Sequence, residues 1–168
     1  MSIVYAIIAK GNDTTLVDFS FLSANFEIIT KNLLPKLQQN EKVTFEYNPE
    51  YMFHYINENN FTYLCISQTQ FPQRIAFTFL NEIQSLFKSQ FSENERLNGI
   101  QYAFKGQFED TIKLKMVFYI YNIKLLNKKK KYYNSNPDDN LIKIKNNLNE
   151  IKSVMNDNIE KVLEKKKN

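Results

Sequence analysis

Leu141, Ile144, Leu148, Ile151, Met155, Asn158 and Val162 recur at alternating steps of three and four residues, and the next step reaches Lys165. This is an a/d heptad seam, the pattern that winds a helix against partner helices rather than onto its own domain. It limits the end of the chain to a partner-seeking helix, predicted over residues 137–168. Asn136-Pro137-Asp138-Asp139 makes the turn that starts it, with carboxylates at its positive end. Alone, such a helix is marginal, because most helical stability comes from packing an apolar face. At the seam, Asn158 reads as a register-fixing polar residue; on a solvent face it would be unremarkable.

The formal charge of +4 averages two opposite parts. Residues 1–110 hold 8 Lys and Arg against 12 Asp and Glu, a net of −4, and residues 111–168 hold 14 against 6, a net of +8. A basic tail on a mildly acidic domain suits anionic membrane surfaces or acidic partners. Nucleic acid is not expected: zinc-finger spacing and an RNP-type aromatic motif are both missing, and two Arg supply little guanine readout. With no charged leader at the start and no run approaching about 20 apolar residues, the chain as written reads as soluble and cytosolic, without a transmembrane anchor.

The amino-terminal part predicts an antiparallel sheet with helices on it. Residues 3–9 read as a buried strand, followed by a turn at 10–13 and a second strand at 15–19. Asn25 caps a helix bearing Phe26, Ile29, Leu33 and Leu37, which Pro35 is expected to kink or end. Strands follow at 42–47, 51–56 and 61–68, the last two joined by the turn Asn57-Glu58-Asn59-Asn60. Pro72 opens a long helix with Ile75, Phe79, Ile83 and Phe87 on one stripe, and another helix starts near Phe108. The order is β-β-α-β-β-β-α-α, an α+β fold with a five-stranded antiparallel sheet.

Little of this suggests catalysis. His54, the one histidine, has no Ser, Cys or Asp at a catalytic spacing, and Cys65, the one cysteine, lies in a short apolar run. Both read as structural residues. The three glycines form no phosphate loop, and no cluster has metal-ligand spacing. No enzyme activity, cofactor or metal is expected.

Several segments together resemble one family. Ile3-Val4-Tyr5-Ala6-Ile7-Ile8-Ala9-Lys10-Gly11 is similar to the opening strand of a longin domain, a profilin-like fold. Residues 51–56 and 61–66 resemble the central hairpin of the VAMP7-like longins; residues 74–83 resemble their second helix and 102–108 the start of their third. Residues 154–164 are similar to the amino-terminal half of a synaptobrevin-type SNARE motif. The resemblance implies a longin domain over 1–115, an irregular basic and aromatic linker over 116–136, and half a v-SNARE coiled-coil motif over 137–168, cut near its central layer. It further implies a vesicle-associated R-SNARE whose seam joins Gln-SNARE helices in a four-helix bundle that drives membrane fusion. A full-length form would then sit on the cytosolic face of a vesicle or endomembrane. The longin domain would fold back on the SNARE motif or bind sorting adaptors and regulators, with candidate contacts around Leu33, Val43 and Phe45. Each of these three also reads as core.

Two departures matter. The family's central layer sets one Arg against three Gln, whereas here the matching position is Lys165, which lacks the planar fork of donors and also reads as a solvated terminal charge. That favours an alternative: a longin regulatory or adaptor-binding module that does not itself drive fusion. The family also keeps a polar connection where this chain has residues 116–127, rich in aromatic and β-branched side chains, then Lys128–Lys131. Three readings stay open for it: a patch that binds anionic membrane, an extended and poorly specified insert, or an artefact of gene prediction in AT-rich coding sequence.

Overall fold

The computed structural model describes residues 1–132 and 155–158. Five strands form the expected antiparallel core: β1 (Ile3–Lys10), β2 (Thr14–Ser20), β3 (Lys42–Glu46), β4 (Tyr51–Glu58) and β5 (Phe61–Gln68). A sixth, β6 (Met155–Asn158), pairs parallel to β3 and completes the order β2-β1-β5-β4-β3-β6. The turn between β4 and β5 tightens to Asn59 and Asn60, whose φ values of 52° and 69° are the left-handed pair a two-residue hairpin needs. Gly11, at φ 62°, leaves β1 in the same region, and its N–H donates to the Asn60 carbonyl at 2.9 Å.

Alternating residues divide between two cores, as the period of a strand requires. On one face Val4, Tyr5, Ile7, Phe45, Phe53, Tyr55 and Leu64 pack under α1 (Phe26–Leu33). Pro35 ends that helix at Leu33 and shapes a short 3-10 turn over Leu34–Lys36, the early end expected of it. On the other face Ala6, Ile8, Ile56, Tyr63 and Cys65 meet α2 (Gln73–Gln90) and α4 (Lys105–Tyr132). Phe87 of α2 stands at the centre of this core, with the rings of Tyr63, Phe91, Phe104 and Phe108 around it at centroid distances of 5.1–6.5 Å. Between α2 and α4 runs a short α3 (Glu93–Leu97), closed by a capping box between Ser92 and Glu95. Lys10 Nζ donates to the Leu97 and Gly99 carbonyls at 2.7 Å, strapping the α3–α4 connection to the sheet.

Two expectations are corrected. Residues 116–132 are not an irregular linker, because α4 continues through them as one helix of 28 residues starting at Lys105 rather than near Phe108. Its inner stripe explains why: Phe108, Ile112, Met116 and Ile123 are all buried, at helical spacing. Glu82 of α2 fastens the same stretch, accepting from Lys115 Nζ at 2.6 Å and from the Tyr119 hydroxyl. Apolar residues also occur on the outer face of α4, so the sequence shows no clean stripe. The second correction concerns residues 155–158, which are strand and not helix. Met-Asn-Asp-Asn favours neither state, since Asn and Asp compete with the backbone in helices and are depleted in strands. The open backbone of β3 decides between them by offering a ladder.

Candidate functional site: the outer edge of β3

β3 is the last strand of the antiparallel core, so one side of its backbone faces away from β4 and would be an unpaired edge. Its residues pair with β4 from Lys42↔Ile56 to Glu46↔Met52. On the outer side the register is Val43↔Met155, Thr44↔Asn156, Phe45↔Asp157 and Glu46↔Asn158. This is strand addition, in which the main chain of an extended segment supplies the contact.

The side chains behind this edge are fixed. Val43 and Phe45 point under α1 and are buried, as is Leu33, so all three belong to the core. Phe45 stacks on Phe53 at 5.1 Å, with Tyr47 edge-on to Phe53. What β3 offers a partner is therefore its backbone, not the Val43 and Phe45 side chains. Between them Thr44 faces the opposite core, where its hydroxyl meets His54 Nδ1 at 2.8 Å while Ser67 Oγ meets Nε2 at 2.9 Å. The imidazole is 1 % exposed and lies edge-on to Phe77. Burial pushes its pKa down to about 3, so it is neutral and both ring nitrogens have hydroxyl partners. Cys65, paired across the sheet with His54, is fully buried, and burial raises its thiol well above the usual range. These are the properties of structural residues rather than of a base and a nucleophile. Among the described residues no three His, Cys, Asp or Glu side chains gather as a metal site.

Of the seam, Met155 and Asn158 are the first and last residues of β6. Both therefore lie in a strand paired with β3 rather than in a helix. Leu141, Ile144, Leu148, Ile151, Val162 and Lys165 lie outside the described residues. Sequence reasoning missed the role of the β3 backbone. An edge strand has no signature of its own when its side chains read as core.

The model of the longin family, described as a regulated-SNARE-like domain, matches residues 16–112, more than half of the chain. The chain belongs to the longin family. Its R-SNARE relatives are of the VAMP7 type. The chain is 35 % identical over 94 residues to vesicle-associated membrane protein 7B of Dictyostelium discoideum, a match covering 55 % of this chain and 35 % of that protein. It is 36 % identical over 92 residues to human vesicle-associated membrane protein 7, covering 54 % and 41 %. Vesicle-associated membrane protein 714 of Arabidopsis thaliana is 29 % identical over 172 aligned positions, 98 % of this chain and 69 % of that one, so that similarity runs beyond the longin domain into the tail. Within the described residues, β3 of this fold supplies the edge that receives residues 155–158.

Proposed function

We propose that this longin protein is a vesicle-associated R-SNARE, whose tail pairs with Gln-SNARE helices under control of the longin domain. The observation that carries the reading is the a/d seam appended to a longin domain, in a chain similar to vesicle-associated membrane proteins. A four-helix bundle needs a continuous apolar seam, and Leu141 through Met155 supply one, with Asn158 fixing register and Lys165 bringing the cationic charge of the central layer. Mixing the chain with candidate Gln-SNARE helices is expected to raise helicity and give a stable complex by circular dichroism and size-exclusion chromatography. The variant L148D/I151D, which sets two carboxylates in the seam, is expected to abolish both. No gain in helicity with any cognate set would remove pairing from the account.

The pairing of β6 with β3 favours a second element of this function. Residues 155–158 cannot be a strand on β3 and a helix in a bundle at once, so docking on the longin domain and SNARE pairing are mutually exclusive. The longin domain then acts as a regulator of its own tail, and the same edge would accept an extended segment of an adaptor. Hydrogen exchange of residues 43–46 tests this. The substitution N156P is expected to speed exchange there by about tenfold or more, because proline cannot donate to a ladder. Unchanged protection would mean that β6 does not occupy the edge in solution.

A further inference from the structure

Helix α4 is apolar on both sides, and only one side is used by the fold. Opposite the buried Phe108, Ile112, Met116 and Ile123, the outer face carries Leu114, Phe118, Tyr121 and Leu125 at steps of four, three and four. Three of these are more than half exposed: Leu114 at 68 %, Phe118 at 52 % and Tyr121 at 61 %. Such a stripe keeps large side chains in water at a cost, which is unusual unless something covers it. Its surroundings indicate what does. Residues 113–131 contain seven lysines and no aspartate or glutamate. Lys115 is engaged by Glu82, but Lys113, Lys124, Lys128, Lys129 and Lys130 are exposed. Lys128 continues the line of the stripe at one turn beyond Leu125, and Lys124 and Lys129 flank it.

We infer that α4 is an interfacial membrane-binding helix, which lays this stripe into the headgroup region of an anionic bilayer while its inner face stays packed on the sheet. Aromatic and aliphatic side chains on one face with lysines beside and beyond them are the composition of a helix that lies on, rather than across, a membrane. None of the helices among the described residues is long and apolar enough to cross one. Charge complementarity selects the occupant. A second copy of α4 laid on the first would bring two lysine-rich faces together, whereas a leaflet bearing phosphatidylserine rewards the same charge. The inference stands apart from SNARE pairing: it uses residues 113–131 and needs no partner helix. Its consequence is a longin domain held with α4 against the membrane.

Co-sedimentation with vesicles tests it, using phosphatidylcholine alone and phosphatidylcholine with about one-third phosphatidylserine. The chain is expected to bind the anionic vesicles at least about tenfold more tightly, and to release in about 0.5 M salt. The surface variant F118S/Y121S should lose that binding while keeping its melting temperature, and K128E/K129E should lose its preference for phosphatidylserine. Because the first variant leaves every lysine in place, its loss assigns the contact to the stripe rather than to tail lysines. Binding that ignores lipid charge, or that survives F118S/Y121S, overturns the inference. So does self-association of the wild-type chain in analytical ultracentrifugation that F118S/Y121S abolishes, since the stripe would then be a dimer interface.

Discussion

Replacing Phe87 by alanine is expected to destabilise the longin domain by about 3–5 kcal/mol. The side chain is fully buried and its ring contacts four other aromatic rings contributed by β5, α4 and the α3 flanks. Truncation removes those contacts and leaves a cavity that rigid neighbouring rings cannot collapse to fill. A domain of this size is stable by only about 5–15 kcal/mol, so the variant should unfold in far less urea than wild type and melt many degrees lower. The conservative change F87L should recover much of the loss. If F87A melts within a few degrees of wild type, the aromatic cluster is not the centre of the core.

The second large effect is acid sensitivity through His54. Its folded-state pKa of about 3 lies below the ordinary value of 6.5. Between those values an unfolded chain binds a proton that the folded one refuses, so stability present above pH 6.5 is lost as pH falls towards 3. The slope contributed is about 1.4 kcal/mol per pH unit. Glu27 and Glu82 add to it further down, whereas Asp18, raised by burial, works against it. Glu27 is held below its usual range by hydrogen bonds from Tyr102 and Lys31. At Glu82 partial burial raises the carboxyl, but hydrogen bonds from Lys115 and Tyr119 outweigh it. The diagnostic window for His54 is therefore about pH 5 to 6.5, where ordinary carboxylates have not begun to protonate strongly. Urea midpoints measured across that window should fall with pH in the wild type and stay nearly level in H54Q. A wild-type profile as flat as that of H54Q would mean that the buried imidazole accepts its proton freely.

The His54 effect bears on function because its hydrogen-bond network lies directly behind the β3 edge. Thr44 is at once the hydroxyl partner of His54 and the backbone partner of Asn156. Weakening this part of the sheet would loosen the ladder that holds β6, and with it the proposed competition between docking and pairing.

Much of the longin fold is legible in the residues themselves. Strands β1 to β5 follow from apolar runs bounded by turn residues, and the Asn59-Asn60 hairpin follows from the tolerance of Asn for positive φ. Pro35 ends α1 and Pro72 begins α2, because a fixed φ and a missing donor act locally. Even α3, absent from the sequence reading, had a signal in the capping-box spacing of Ser92 and Glu95. Two features had no such local cause. The extension of α4 to Tyr132 depends on the sheet and α2 taking up one of its two apolar faces, a choice that periodicity cannot express when both faces are apolar. Residues 155–158 carry a helical seam spacing and yet form a strand, because β3 presents an unpaired ladder that Met-Asn-Asp-Asn can complete without giving up a strong preference for helix. The sequence determined which segments could be strands and helices through steric and periodic constraints acting within a few residues. Where an open edge and an uncovered helix face lie is set by long-range packing, because both are properties of what remains unpaired after the rest has packed.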